Sequence, residues 1–124
     1  MSHSEKKVEN TIPILPVTDL AKSIRYYTGV LGFELDWRGD VIGSVSRDGH
    51  AVMLSQAISG SSPGWVWIGL VDDSLFEDFR SAGVTVHQEP RNQPWAWEMK
   101  FQDPDGNTLW LGTEPRSDIP IEGG

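Results

Sequence analysis

Apolar and polar residues follow a regular order along the first half of the chain. The segment TIPILPV (11–17) has the apolar content of a buried strand. The next segment repeats its apolar side chains at helical spacing, and Thr18 or Asp19 can cap that helix. Three segments with strand-like patterns follow, joined by turns that include Asp-Gly, at residues 32–37, 41–46 and 51–56. This order predicts a strand, a helix and three antiparallel strands.

The second half of the chain repeats the same order. The segment WVWIGL (65–70) has the composition of a strand, Asp72 or Asp73 can cap a second helix, and Gly83 can end it. Three further strands are predicted at residues 84–89, 97–101 and 107–112. The sequence therefore predicts an α+β fold in which two βαβββ modules form one domain. The predicted boundaries are a flexible tail at 1–10, a single domain at 11–113 with modules at 11–56 and 64–113, a linker at 57–63, and a C-terminal tail at 114–124.

The strand predicted at 65–70 is apolar on both of its faces. Since side chains alternate between the faces of a strand, Trp65 and Trp67 lie on one face, and Val66 and Ile68 lie on the other. The whole chain has six tryptophans in 124 residues. Aromatic rings contribute to cores, to dimer interfaces and to ligand pockets, so tryptophan content alone leaves all three roles open.

Composition restricts the classes of function. A chain of 124 residues with 38% hydrophobic residues fits one folded domain, and no apolar run is long enough to span a membrane. The net charge of −8 disfavours binding to nucleic acid and to anionic membranes, although it also serves solubility. The absence of cysteine excludes disulfides and thiolate zinc sites. The polar first ten residues lack the apolar core of a secretion signal, so we expect a cytoplasmic protein.

Two segments, together with the order of elements, resemble a known superfamily. IPILPVTDLAKSIRYYTGVLGFELDW near the start and FQDPDGNTLWL near the end are similar to sequences of the vicinal oxygen chelate superfamily. That superfamily includes glyoxalase I, extradiol dioxygenases, fosfomycin-resistance transferases and bleomycin-resistance proteins. The resemblance covers residues 11–113 and implies that the two modules form cupped mixed sheets. Its motifs LGF and DPDGN do not specify an activity.

A narrower resemblance concerns the segments GWVWIGLVDD and NQPWAWEMKFQDPDGN. They are similar to the Trp-rich fifth strand and the QPW motif of bleomycin-resistance proteins. Proteins of that branch are acidic homodimers, which sequester the drug in crevices between subunits without altering it. The resemblance therefore implies a small-molecule antibiotic and a second copy of the chain as partners, and no cofactor.

Enzymes of this superfamily hold a divalent metal through His and Glu side chains on strands one, four, five and eight. The matching positions here are Ile12, residues 52–55, residues 63–65 and Trp110. None of them supplies an imidazole or a carboxylate. The chain has three histidines without ligand spacing between them, namely His3, His50 and His87. Motifs for nucleophilic or phosphate chemistry are also missing, so we expect neither a metal site nor catalytic residues.

The resemblance also assigns candidate binding residues. It implies that Trp37 on the second strand and Trp95 in the QPW segment stack on the flat rings of the drug. Further candidates for the aromatic surface are Trp65, Trp67, Trp97 and Trp110. Candidate acidic contacts to a cationic drug are Asp36, Asp40 and Glu98.

These observations predict a metal-free homodimer that sequesters a planar, cationic antibiotic of bleomycin type. One alternative is the binding of another aromatic natural product, such as an enediyne or a mitomycin-like compound. A second is a metal-dependent lyase, dioxygenase or thiol transferase of the same superfamily. A third is an interaction module whose tryptophans only bury a protein interface.

Overall fold

The helices and strands occur in two consecutive groups of the same order. A computed structural model describes residues 5–122 of the chain. The first module contains β1 (Ile14–Pro16), α1 (Leu20–Gly29), β2 (Glu34–Arg38), β3 (Ile42–Arg47) and β4 (His50–Ser55). The second contains β5 (Trp65–Gly69), α2 (Ser74–Ser81), β6 (Thr85–Asn92), β7 (Trp97–Gln102) and β8 (Thr108–Thr113). These two βαβββ modules confirm the predicted α+β fold.

Each module forms a four-stranded mixed sheet of the same topology. The strand order is β1-β4-β3-β2 in the first sheet and β5-β8-β7-β6 in the second. The first and last strands of each module pair in parallel, and all other neighbours pair antiparallel. One side of each sheet packs against the helix of its module, which leaves the opposite side uncovered by it.

The helices begin at the acidic residues that the sequence indicates. The side chain of Asp19 accepts a hydrogen bond of 3.0 Å from the backbone N–H of Lys22, so Asp19 caps α1. At the start of α2, the side chain of Asp72 accepts a hydrogen bond of 3.0 Å from the backbone N–H of Ser74. The turn after α2 needs a left-handed backbone, which Gly83 supplies with φ of 82°.

One hydrophobic core extends through both modules, and the Asp103 carboxylate connects them. It accepts a hydrogen bond of 2.7 Å from the hydroxyl of Tyr27 on α1 and one of 3.0 Å from the side-chain amide of Asn107. That amide also donates to the carbonyl of Pro16 at 2.9 Å. The side chains of Tyr27, Asp103 and Asn107 are all buried. Their hydrogen bonds therefore fix the DPDG turn between β7 and β8, and with it the second module, to the first module.

The segments outside the sheets differ in their contacts. The predicted tail at 1–10 is described only for residues 5–10, which form no helix or strand. Residues 114–122 form none either, but Asn92 at the end of β6 donates hydrogen bonds to the carbonyls of Arg116 and Ile119. This part of the C-terminal segment therefore contacts the second sheet. Neither α1 nor α2, the two α-helices within residues 5–122, has the length and apolar character needed to cross a membrane.

Candidate ligand-binding site

The two faces of each sheet carry different side chains. In the second sheet, Val66 and Leu109 point to the helices and are buried, as the alternation predicts. The opposite face, called the second outer face, carries Trp65, Trp67, Glu98, Lys100 and Trp110. The corresponding side of the first sheet, called the first outer face, carries Ile14, Trp37, Ser44, Ser46 and Met53.

Three tryptophans form a continuous aromatic wall on the second outer face. The parallel pairing places Trp110 directly opposite Trp67. The ring of Trp110 meets that of Trp67 edge to face at a centroid distance of 5.4 Å, and that of Trp65 at 6.1 Å. Trp65 also reaches the ring of His87 on the opposite edge strand, at 6.3 Å, so aromatic side chains extend across this face from one edge strand to the other. Because Trp65 is 55% exposed and Trp67 49%, the wall is open to a ligand.

The carboxylate of Glu98 holds the centre of this face together. Its Oε1 accepts hydrogen bonds of 2.8 Å from the indole N–H groups of both Trp95 and Trp110. Its Oε2 accepts from the amide of Gln88 at 2.9 Å and lies 3.4 Å from the ammonium of Lys100. The side chain of Glu98 is completely buried, and its single negative charge is stabilised by all four of these donor groups. Glu98 therefore fixes the loop residue Trp95 against the strand residue Trp110.

Protonation of Glu98 is disfavoured by the groups around it. Burial alone would raise the pKa of this carboxyl, but the hydrogen bonds from Gln88, Trp110 and Trp95 and the charge of Lys100 lower it below the usual glutamate value. The carboxylate is thus ionised at neutral pH. Since its oxygens already have protein partners, it does not offer the free acidic contact that the sequence suggested.

Lys100 places a positive charge directly beside the aromatic wall. Its Nζ lies 5.0 Å from the centroid of the Trp110 ring and 5.8 Å from that of Trp65, both of which are cation–π distances. The same nitrogen donates a hydrogen bond of 2.9 Å to Oε1 of Gln88. The second outer face therefore combines flat apolar rings with an ammonium group.

Glycines make room for Trp67 on the wall. A Cβ atom at Gly112 would lie 2.5 Å from Cη2 of Trp67, and one at Gly69 would lie 3.3 Å from its Nε1. Both glycines are on the same side of the sheet as the ring. The indole therefore packs closely against the backbone of Gly112, a position that any larger residue at Gly112 would prevent.

Trp97 does not belong to this wall. It is on the helix side of β7, where its ring lies 6.2 Å from that of Phe76 and its indole N–H donates to Asp73 at 3.0 Å. Arg116 lies 5.4 Å from the same ring centroid. The candidate assignment of Trp97 to the aromatic surface is corrected here, because Trp97 shares its face with the buried Met99.

The first outer face is more polar than the second. Trp37 is 46% exposed on the edge strand β2, where a bulge after Leu35 keeps its side chain on this face, opposite Ser44. Asp36 accepts hydrogen bonds from the hydroxyls of Ser44 at 3.1 Å and Ser46 at 2.7 Å. Asp40 lies exposed in the turn between β2 and β3. Of the candidate residues, the structure thus brings together Trp65, Trp67, Trp95, Glu98 and Trp110, while Trp37, Asp36 and Asp40 lie on the other module.

The positions that correspond to the superfamily's metal ligands do not fit a metal here. Ile12 precedes β1, and Trp110 is part of the aromatic wall. Within residues 5–122, no three His, Cys, Asp or Glu side chains lie close enough together to hold a metal ion. His50 begins β4 and His87 is on β6, whereas His3 lies outside the described residues.

The sequence interpretation missed three residues of this site, namely Gln88, Lys100 and Gly112. Lys100 could have been found from the two-residue period of β7, which puts it on the same face as Glu98. Gln88 has no such signal, because bulges in β6 shift its register against β7.

Comparison with known proteins identifies the family to which this fold belongs. Residues 9–111 match the model of the Glyoxalase/Bleomycin resistance protein/Dioxygenase superfamily. The chain belongs to this superfamily. No curated protein matches the sequence significantly.

Several solved structures have the same fold as this chain. A superfamily member from Sphaerobacter thermophilus DSM 20745 has 25% identity and a TM-score of 0.74, with 87% of this chain and 98% of that chain covered. The bleomycin-binding protein from bleomycin-producing Streptomyces verticillus, solved with copper(II)-bleomycin, has 22% identity and a TM-score of 0.74, with coverages of 90% and 100%. TnmS3, an antibiotic-binding protein from Streptomyces sp. CB03234, has 24% identity and a TM-score of 0.75, with coverages of 89% and 99%.

Proposed function

We propose that this protein binds a planar aromatic antibiotic of bleomycin type and sequesters it without chemical change. The observation that carries the proposal is the wall of Trp65, Trp67 and Trp110, which remains accessible on the second outer face. Stacking on each such ring contributes about 0.5 to 1.5 kcal/mol beyond the burial of area. A flat drug that contacts several rings gains enough affinity to be held away from its target in the cytoplasm.

A preformed wall favours binding over an interface role alone. Glu98 holds Trp95 and Trp110 by hydrogen bonds before any ligand arrives, so little conformational freedom is lost on binding. Similarity to proteins that bind copper(II)-bleomycin and another antibiotic supports the same class of ligand. The positions of the superfamily metal ligands hold Ile12 and Trp110, which supports binding without catalysis.

We further infer that a second copy of the chain completes the crevice. Large apolar side chains remain exposed on both outer faces, including Ile14 at 49% and Trp67 at 49%. Patches of this kind mark interaction surfaces in soluble proteins. A two-fold pair that sets the outer face of one copy over that of the other would enclose a flat ligand between two walls.

The test is a titration with metal-free and copper(II)-loaded bleomycin. Binding is measured by calorimetry, together with quenching of tryptophan emission and with the oligomeric state by analytical ultracentrifugation. We expect saturable binding at micromolar drug in a dimer, and weaker binding for Trp95→Ala and Trp110→Ala.

The control is Trp97→Phe, which alters a tryptophan on the helix side and should bind like the wild type. Absence of saturable binding of either form of bleomycin would refute the bleomycin assignment. Equal binding by Trp110→Ala and the wild type would refute the second outer face as the site.

A further inference from the structure

The charge that is accessible on the second outer face has the opposite sign to the one that the sequence suggested for ligand selection, because Glu98 is buried and Lys100 is not completely so. The ammonium of Lys100 lies against the rings of Trp65 and Trp110, and its side chain is only 17% exposed. Its position within the wall means that a planar ligand on these rings comes into contact with it. The charge that a ligand meets there is therefore positive.

Two of the carboxylates that the sequence suggested as contacts for a cationic ligand already have hydrogen-bond partners within the protein. Glu98 is completely buried, and its oxygens accept from Trp95, Trp110 and Gln88 in addition to the ion pair with Lys100. Asp36 is bonded to serine hydroxyls of the first sheet. Among the outward-facing positions of β5, β7 and β8, which the structure describes completely, Glu98 is the only acid, and its carboxylate is not free for a cation.

Lys100 has unused capacity to donate hydrogen bonds. An ammonium group has three N–H donors, and Gln88 and Glu98 account for two of them at 2.9 Å and 3.4 Å. The third donor is available to an acceptor that arrives with a ligand. Since the surroundings are aromatic and partly buried, a charge-assisted hydrogen bond made here is stronger than one in water.

We propose that the second outer face selects planar aromatic ligands that carry an ionised acid or another strong oxygen acceptor at the edge of the ring system, with Lys100 as its partner. This inference rests on the proposed function, because it assigns the ligand chemistry of the same aromatic wall. A ligand whose planar ring system itself carries the positive charge meets the ammonium of Lys100 and binds more weakly, whereas a cationic group on a tail away from the rings does not meet it. The specificity-determining residue is therefore Lys100 and not one of the acids.

The test compares three flat probes of equal size and different charge at neutral pH. These are acridine-9-carboxylate, neutral acridine and cationic 9-aminoacridine, each titrated by calorimetry into the full chain. We expect the carboxylate to bind about tenfold more tightly than acridine, which is the effect of one charged hydrogen bond. The aminoacridine should bind most weakly of the three.

Variants assign the preference to one side chain. Lys100→Met keeps the length and apolar volume of the side chain and should remove the preference for the carboxylate, whereas Lys100→Arg should keep it. Lys22→Met, at an exposed position on α1, is the matched control and should behave like the wild type. Circular dichroism establishes that each variant is folded.

The outcomes separate this inference from the proposed function. Equal binding of all three probes, tighter binding of the cation, or an unchanged preference in Lys100→Met would overturn the role of Lys100 and leave the aromatic site intact. Absence of binding by every probe and by bleomycin would overturn both proposals.

Discussion

The two modules share a topology, yet their outer faces have different chemistry. The first outer face has serine hydroxyls around Asp36 and a single tryptophan, Trp37, at its edge. The second has a wall of tryptophans around an ion pair of the buried Glu98 and the partly buried Lys100. Core-facing positions must be apolar in both modules, whereas outward positions contribute little to the core and can differ. A repeated backbone therefore does not imply two equivalent binding sites.

The carboxylates of the two faces show the difference most clearly. Glu98 is completely buried and has four partners, while Asp36 is exposed and has two serine partners. A buried charge depends on every partner, because water cannot replace a lost one. An exposed carboxylate exchanges its partners for water at little cost.

The largest effect is expected when the Glu98 carboxylate is removed. Glu98→Ala leaves two indole N–H groups and one amide without their acceptor and the ammonium of Lys100 without its counter-charge, and should lower the free energy of unfolding by about 3 kcal/mol. Equilibrium unfolding in urea measures this loss of stability. The matched change Asp36→Ala should cost much less, and equal losses for the two variants would contradict the contrast between the faces.

The next effect concerns the glycine beneath Trp67. Gly112→Ala places a methyl group within contact of the indole ring and should cost about 2 kcal/mol of stability, as overpacking does. The near-ultraviolet circular dichroism of the tryptophans should change with it. Gly39→Ala, in the β2–β3 turn, meets its nearest atom at 3.6 Å and serves as the control. An unchanged spectrum for Gly112→Ala would place Trp67 elsewhere.

The loss of ligand affinity on removal of a tryptophan should differ between the two outer faces, by less free energy than the stability losses described above. Trp110→Ala removes the ring that contacts both Trp65 and Trp67, and should weaken the binding of a planar drug about tenfold. Trp37→Ala, which changes an isolated ring on the first outer face, should weaken it less. Calorimetry on both variants decides the order, and the reverse order would move the main site to the first module.

The smallest effect is a dependence on acidic pH. The pKa of Glu98 is lower in the folded protein than in the unfolded chain, where it has the usual value of 4.5. The stability that the carboxylate contributes is complete above pH 4.5 and is lost as the pH falls through the lower folded value. The near-ultraviolet spectrum of the wall should therefore persist at pH 4.5 and change only in more acidic solution. Glu98→Gln should lack this step, and a wild-type step above pH 4.5 would contradict the assignment.

The alternation of side chains along strands and the residues at helix starts predicted the order of helices and strands and the face on which Trp65 and Trp67 lie. Strand alternation placed Trp65 and Trp67 opposite Val66, and the acidic residues before each helix marked its start. The same alternation within WEMKF puts Trp97 on the face of Met99, which is the helix side, so the pattern of β7 conflicts with the candidate assignment of Trp97.

Two of the partners of Glu98 could not be predicted in this way. Gln88 and Trp110 are ten and twelve residues from Glu98 in the sequence, and they meet it only through strand pairing and the bulges of β6. A glutamate that alternates with apolar residues is typical of a solvated face, which is why its burial was not expected. Charge in a binding site thus depends on tertiary contacts that composition does not reveal.

The bonds of Asp103 have a consequence for the autonomy of the two modules. Its carboxylate, at the turn between β7 and β8, holds the Tyr27 hydroxyl of α1, and Asn107 beside it holds the backbone of β1. A chain divided at the linker would leave each half with an incomplete core and with polar groups that lack their partners. The halves therefore depend on each other for folding. Despite its repeated topology, the molecule should unfold in a single cooperative transition.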